Sequence, residues 1–476
     1  MLRAMGQHTT AKSIHVATVI FALVALLRPP MASAEPGPVE EASPVSVPAM
    51  NLQEALDYAR FHQPELRAAR ERFLAVAADA RIPSAQWAPA VGAAVELVGS
   101  TANNSTSTVL PNGVVDLPRV GGTAITRTPN WHPYATTLAA LGLTQELFDF
   151  GRIAAQTAAS EALVAVERDR LQVTQLDTTY VVTQSYFATR AAHAVVDAAT
   201  QAEQRAKVHR DFAREAVKAG LRPPIELTRA TADLTRFTVG RIRAEGNLRI
   251  ARTVLAAAVG YNEPELDTGS EPPSFPPLLS LAEVEQRAKS FEPEILQALD
   301  QQKAQHARTQ AISALTRPNL YASASVSARA GGASANNGLV PDGSGFLPSI
   351  PNYSLGLVMQ WPLLDPVNDA TARASRQREF AYSAQVAAAQ QRAVAAVDQM
   401  YRRTRVAQSA LDALAQATEA ARSNYAQADA RFRAGLGTSL ELADAESIRL
   451  EAEVQQAVGG FELATARANL TRVMGE

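Results

Sequence analysis

The sequence predicts a mostly helical α+β chain, duplicated end to end, with two very long helices and four strands. Three observations carry this. The stretches Arg152–Ala219 and Val367–Ala434 are equal in length and contain neither glycine nor proline. Both stop at the same punctuation, Ala219-Gly220-Leu221 and Ala434-Gly435-Leu436. Ahead of each lies a pair of segments whose apolar residues recur every second position. In the first long stretch, apolar or small residues return at three- and four-residue steps, from Ala155 through Ala159, Ala162 and Val166 to Phe212 and Ala216. A helix of that length runs about 100 Å, whereas globular helices average about 11–12 residues. Such a helix needs coiled-coil neighbours.

The elements follow in order. Residues 1–34 read as a secretory signal. Arg3 and Lys12 are basic, Ile14–Leu27 is largely apolar, and Ala32-Ser33-Ala34 has the small-x-small form of a cleavage site. The apolar run is shorter than the roughly 20 residues of a membrane helix. Residues 35–50, with Pro36, Pro38, Pro44 and Pro48, read as an extended arm. The first repeat spans 51–261. It opens with short helices capped by Asn51 and broken near Pro64, then a hairpin at about 90–147, the long helix 152–219 and a return helix 225–259 broken by Gly240 and Gly246. A proline-rich linker covers 262–279. The second repeat, 280–476, has short helices, a hairpin at about 320–363, the long helix 367–434 and a return helix 439–473 broken by Gly459-Gly460. Leu52, Glu54, Pro64, Glu65 and Pro89 match Leu281, Glu283, Pro293, Glu294 and Pro318 at one constant offset. The chain is a duplication.

Composition narrows the function classes. With 45 basic and 47 acidic residues in 476, there is no polyelectrolyte signature for nucleic acid. No cysteine is present, which excludes disulfides, thiolate metal sites, thiol catalysis and a lipidated N-terminal cysteine. His62, His132, His193, His209 and His306 are scattered without metal-ligand spacing, so no metal or cofactor is expected. No nucleotide-binding or nucleophile-elbow run occurs, and the chain does not read as an enzyme.

The strands set a demand that one chain cannot meet. Leu355, Leu357, Met359 and Trp361 share one face, as in a membrane barrel strand of about 9–11 residues. A hairpin packed on a soluble core is the alternative. Four strands cannot close a membrane barrel, and open edges are not tolerated in hydrocarbon. The alanine-rich stripes of the long helices likewise need partners. An oligomer follows, with a β end in a membrane and a helical end in the periplasm, but its chain count does not.

From about Asn51 to Met474 the sequence resembles the TolC-like outer-membrane efflux channels. The anchors are the duplicated Leu-x-Glu-Ala-Leu…Pro-Glu-Leu opening, from Leu52 and more loosely Leu281, and the Leu147-Phe148-Asp149 junction. The strongest is the turn from Arg431 to Ala445. The resemblance implies a homotrimer sharing a 12-stranded barrel that continues into a helical tunnel. It places the protein in the outer membrane of a Gram-negative bacterium, against its lipid, with a long periplasmic extension. It implies a passive exit duct for drugs or other toxic small molecules, docked to an inner-membrane pump and a periplasmic adaptor. By the same resemblance, Glu441, Asp444 and Glu226 fall where acidic side chains narrow the periplasmic entrance, and Gly220, Leu221, Gly435 and Leu436 form the adaptor-docking tips. Two departures stand out: Gly437 replaces a basic residue found in some members, and the first turn carries Arg222-Pro223-Pro224. A protein-secretion conduit and a non-channel periplasmic coiled-coil tether are the competing readings.

Overall fold

Local sequence sets the start of each helix. In the computed structural model, which describes residues 47–101, 133–269, 277–291, 293–331 and 350–475, β1 (Ala49–Met50) leads into α1 (Leu52–His62). Asn51 accepts the Glu54 N–H, and the Glu54 carboxylate accepts the Asn51 N–H, both at 2.8 Å. This reciprocal cap satisfies two donors that a helix end otherwise leaves unpaired. Ser280 and Glu283 repeat it in the second copy.

The first copy continues with α2 (Pro64–Asp79), the short α3 (Ile82–Ala85), β2 (Ala90–Thr101) and β3 (Pro133–Phe148). The long α4 (Arg152–Lys218) and its return α5 (Pro224–Val259) complete it. After β4 (Asp267–Thr268), the second copy runs α6 (Leu281–Phe291), α7 (Pro293–Ala314), β5 (Asn319–Gly331), β6 (Ile350–Gln360), α8 (Pro366–Arg433) and α9 (Ser439–Val473). The expected leader, most of the proline-rich arm, most of both polar hairpin loops and part of the linker lie outside the described residues. No helix among the described residues is long and apolar enough to cross a membrane.

An aspartate turns each hairpin into its long helix. Asp149 is buried; its carboxylate accepts the Gly151 N–H at 3.0 Å and the Ile153 N–H. Asp365 accepts the Asn368 N–H at 2.9 Å at the start of α8. A carboxylate at a helix N-terminus is favoured by both the hydrogen bond and the helix dipole.

The four main strands form one antiparallel sheet in the order β2-β3-β5-β6, so β3 and β5 join the two copies while β2 and β6 remain edges. Register sorts the two faces. Val91, Val95, Leu97, Leu141, Leu143, Val326, Leu355 and Leu357 stand on one face, all exposed in the single chain. The opposite face carries Ala94, Glu96, Ala140, Gly142, Thr144, Ser323, Ser325, Ser327 and Ser354, with Ser325 and Ser354 hydroxyls 2.6 Å apart. One face is apolar and the other is mostly small and hydroxylated, with Glu96 and Glu146 among its residues.

The helices pair lengthwise. The first long helix packs against α5, α7 and α9, and α8 packs against α7 and α9. Two apolar clusters sit where the short helices cross the long ones. Ala55, Ala59, Val182, Leu255, Val259 and Leu266 form one, and Val284, Ala288, Val397, Leu470 and Val473 form the other. The return helices differ from the expectation that glycines interrupt them: α5 passes through Gly240 and Gly246, and α9 through Gly459 and Gly460. An interior glycine weakens a helix by only about 1 kcal/mol relative to alanine, which lengthwise packing against α4 or α8 offsets. At Gly459 the helices meet closely: a Cβ there would come within 2.7 Å of Leu414 Cδ1, so the Leu414 side chain would have to shift.

Candidate functional site at the helical tips

The two helix-to-helix turns lie about 100 Å along α4 and α8 from the sheet, at about 1.5 Å per residue. Gly220 (φ +71°) and Gly435 (φ +76°) end the long helices in the left-handed conformation. In the first turn, Leu221 N–H donates to Ala216 O and Gly220 N–H to Val217 O; in the second, Leu436 N–H donates to Arg431 O and Gly435 N–H to Phe432 O. Any other residue at either glycine is strained at this φ. The turns project Leu221 (79 % exposed) and Leu436 (74 % exposed), flanked by the exposed Ile225 and Leu440.

Beyond the second turn, Thr438 caps α9 by accepting the Glu441 N–H at 3.2 Å. Glu441 and Asp444 are both exposed and lie three residues apart, one above the other on the same face of the first turns of α9. The structure therefore presents these two side by side. Glu226 goes elsewhere. It is 8 % exposed, turned between the two hairpins, where its carboxylate accepts the Ser439 N–H at 3.3 Å and lies 3.6 Å from Arg222.

Several residues not singled out as site residues from the sequence knit the hairpins together. The Arg222 guanidinium donates to Phe432 O at 3.0 Å and to Gly437 O at 3.3 Å, with its Cζ 4.2 Å from the Phe432 ring centroid. One layer farther from the turns, Arg205 of α4 grips the buried Glu446 of α9 through two nitrogens at 2.8–3.1 Å. Burial pushes the Glu446 carboxyl up, against the lowering effect of Arg205 and Arg449. Arg205 and Arg449 cover the Tyr425 ring at 5.6 and 5.2 Å, and Arg422 and Arg449 both reach Glu453. Arg236 of α5 donates to Ser447 Oγ at 3.0 Å. The seam is thus tied by a ladder of arginines. Its only sequence signal was the unusual Arg222-Pro223-Pro224 turn; the partners of Arg205 and Arg236 lie over two hundred residues away, beyond any spacing rule, while Arg422 and Arg449 brace α8 and α9 within the second hairpin.

The fold as a whole has counterparts among solved structures. No curated protein sequence matches the chain. Among solved structures, the Campylobacter jejuni CmeC outer membrane channel superposes with a TM-score of 0.69 at 14 % identity, covering 94 % of this chain and 93 % of that one. The Neisseria gonorrhoeae MtrE outer membrane channel gives 0.67 at 19 % identity over 89 % of each chain. The Vibrio cholerae outer membrane protein VceC gives 0.66 at 16 % identity, over 89 % of this chain and 96 % of that one. At such identities the likeness establishes the fold. The model of outer membrane efflux proteins matches residues 55–261 and 284–476, one segment for each copy of the duplication. With both copies matched and the channel fold present from sheet to tips, the chain belongs to the outer membrane efflux protein family.

Proposed function

We propose that three copies of this chain form an outer-membrane exit duct of a tripartite efflux system. The observation that carries this is the four-stranded sheet, with two open edges, an apolar face and a hydroxyl-rich face. Bilayer hydrocarbon requires the edges to be paired, and β6 of one copy against β2 of the next supplies that pairing without any new element. Twelve strands then surround a lumen lined by the serine face, while Val91, Leu97, Leu355 and their neighbours meet lipid. Neutral hydroxyls along the wall suit small molecules of varied chemistry. Efflux is favoured over protein secretion because the matched family is one of efflux proteins.

In this reading the helical tips form the periplasmic entrance. Glu441 and Asp444 from three copies make two acidic rings that attract cations and repel one another across the axis. Glu226 belongs to the closure between hairpins, where Arg222 and Ser439 hold it. The exposed Leu221 and Leu436 dock a periplasmic adaptor, which joins the duct to an inner-membrane pump. Planar-bilayer recording tests the rings. Glu441→Gln with Asp444→Asn is expected to lower cation selectivity and alter conductance, whereas wild-type currents and reversal potentials would remove both residues from the constriction.

A further inference from the structure

Phe432, next to last in α8, occupies a socket built by other parts of the chain. It is 2 % exposed. From α4, His209 meets it edge-on with ring centroids 4.6 Å apart, and Phe212 does so at 5.5 Å. From the first turn, Arg222 closes the remaining face. This ring is therefore the apolar peg that pins the second hairpin tip to the first, while Arg222 holds the backbone on either side of the turn through Phe432 O and Gly437 O.

His209 has no evident reason to be a histidine if packing were its only task. Its Nε2 is buried and makes no hydrogen bond among the described residues. Such a nitrogen has given up water without a replacement partner, which an apolar ring would avoid. Burial pushes the imidazole below the usual histidine range, and Arg222 acts in the same direction. Asp233 and Glu226 of α5 and Asp429 of α8 oppose them. Glu226 is already engaged by Arg222 and Ser439.

We propose that the Phe432 socket is a proton-sensitive clasp, in which protonation of His209 releases the second hairpin tip from the first and loosens the entrance. The imidazolium places a second cation on the Phe432 ring beside Arg222, and its buried Nε2–H regains a partner in water when the peg withdraws. The sign follows from linkage. A histidine whose clasped-state affinity for protons is depressed strengthens the clasp above its ordinary value near 6.5 and weakens it as pH falls below that value. The role in opening rests on the tips being the channel entrance.

The test uses the full-length protein in nanodiscs, as wild type, His209→Phe and His209→Gln, at pH 7.5 and 5.5. Amide exchange across 435–442, corrected for the intrinsic pH dependence of exchange, reports the clasp. Wild-type protection is expected to fall more than about threefold on acidification, with both variants flat. Unchanged wild-type protection, or the same fall in both variants, would overturn the clasp. Bilayer currents from the same preparations report the entrance separately. A current that rises with acid in wild type alone supports the whole proposal. An exchange response with no current at either pH would support the clasp and overturn the entrance reading.

Discussion

Asp267 shows how much one side chain can hold together. Its Oδ1 accepts from His193 Nε2 at 2.6 Å and from the Thr268 N–H at 2.8 Å, and its Oδ2 accepts from Arg252. Its own N–H donates to Pro48 O, pairing β4 with β1. Burial alone would raise its pKa, but the bonds from His193, Arg252 and Thr268 bring it down to about 2. A carboxyl depressed in the folded state stabilises above its unfolded value near 3.9, and that contribution disappears as pH falls through 2. Asp267→Asn is therefore expected to weaken the β1–β4 closure by about 2 kcal/mol at pH 7. The reporter is exchange of the Gly269 amide, which donates to Met50 O. The difference from wild type should shrink between pH 4 and pH 2; a difference that persists at pH 2 would show that the carboxylate charge is not what matters. Asn51 and Glu54 were legible because a capping box is local and has fixed spacing. Asp267 was not, because in sequence it is one acid in a proline-rich linker, and its partners come from α4 and α5.

At the scale of elements, the long helices were the most legible part of the chain. Glycine and proline are the residues a helix excludes from its interior, so two long runs without them, stopped by Ala-Gly-Leu, mark both body and end. Ala191, partly buried deep in α4, tests continuity. Ala191→Pro removes a backbone hydrogen bond and clashes with the preceding turn, at about 3 kcal/mol or more, and should kink the wall. Loss of assembly on native gels or gel filtration is the expected outcome, and a normal assembly would mean the wall tolerates a break there. The return helices were harder to read. A glycine pair such as Gly459-Gly460 lowers local propensity, yet α9 stays intact because Gly459 lets it approach Leu414 of α8 closely. Propensity is a property of the segment; close approach is a property of the pair.

At the scale of the whole molecule, the single chain leaves two kinds of surface without a partner among the described residues. Among the described residues, no further strand pairs the outer edges of β2 and β6. Val367, Phe380 and Val406 stand exposed along α8. The three-fold closure proposed above would cover both. Light scattering of detergent-extracted protein, with the detergent subtracted, should give three chains per particle; a detergent-free monomer would overturn the shared barrel. The sequence by itself determined the duplication, the long helices, their ends and the alternating strands, because each rests on propensity or periodicity within one segment. Tertiary structure alone decided that Glu226 turns into the seam while Glu441 and Asp444 stay exposed, that arginines ladder the two hairpins, and that half-buried His209 packs on Phe432 with its Nε2 buried. Those outcomes depend on which helix faces meet after the chain has folded back over its full length, and no spacing along the sequence encodes that meeting.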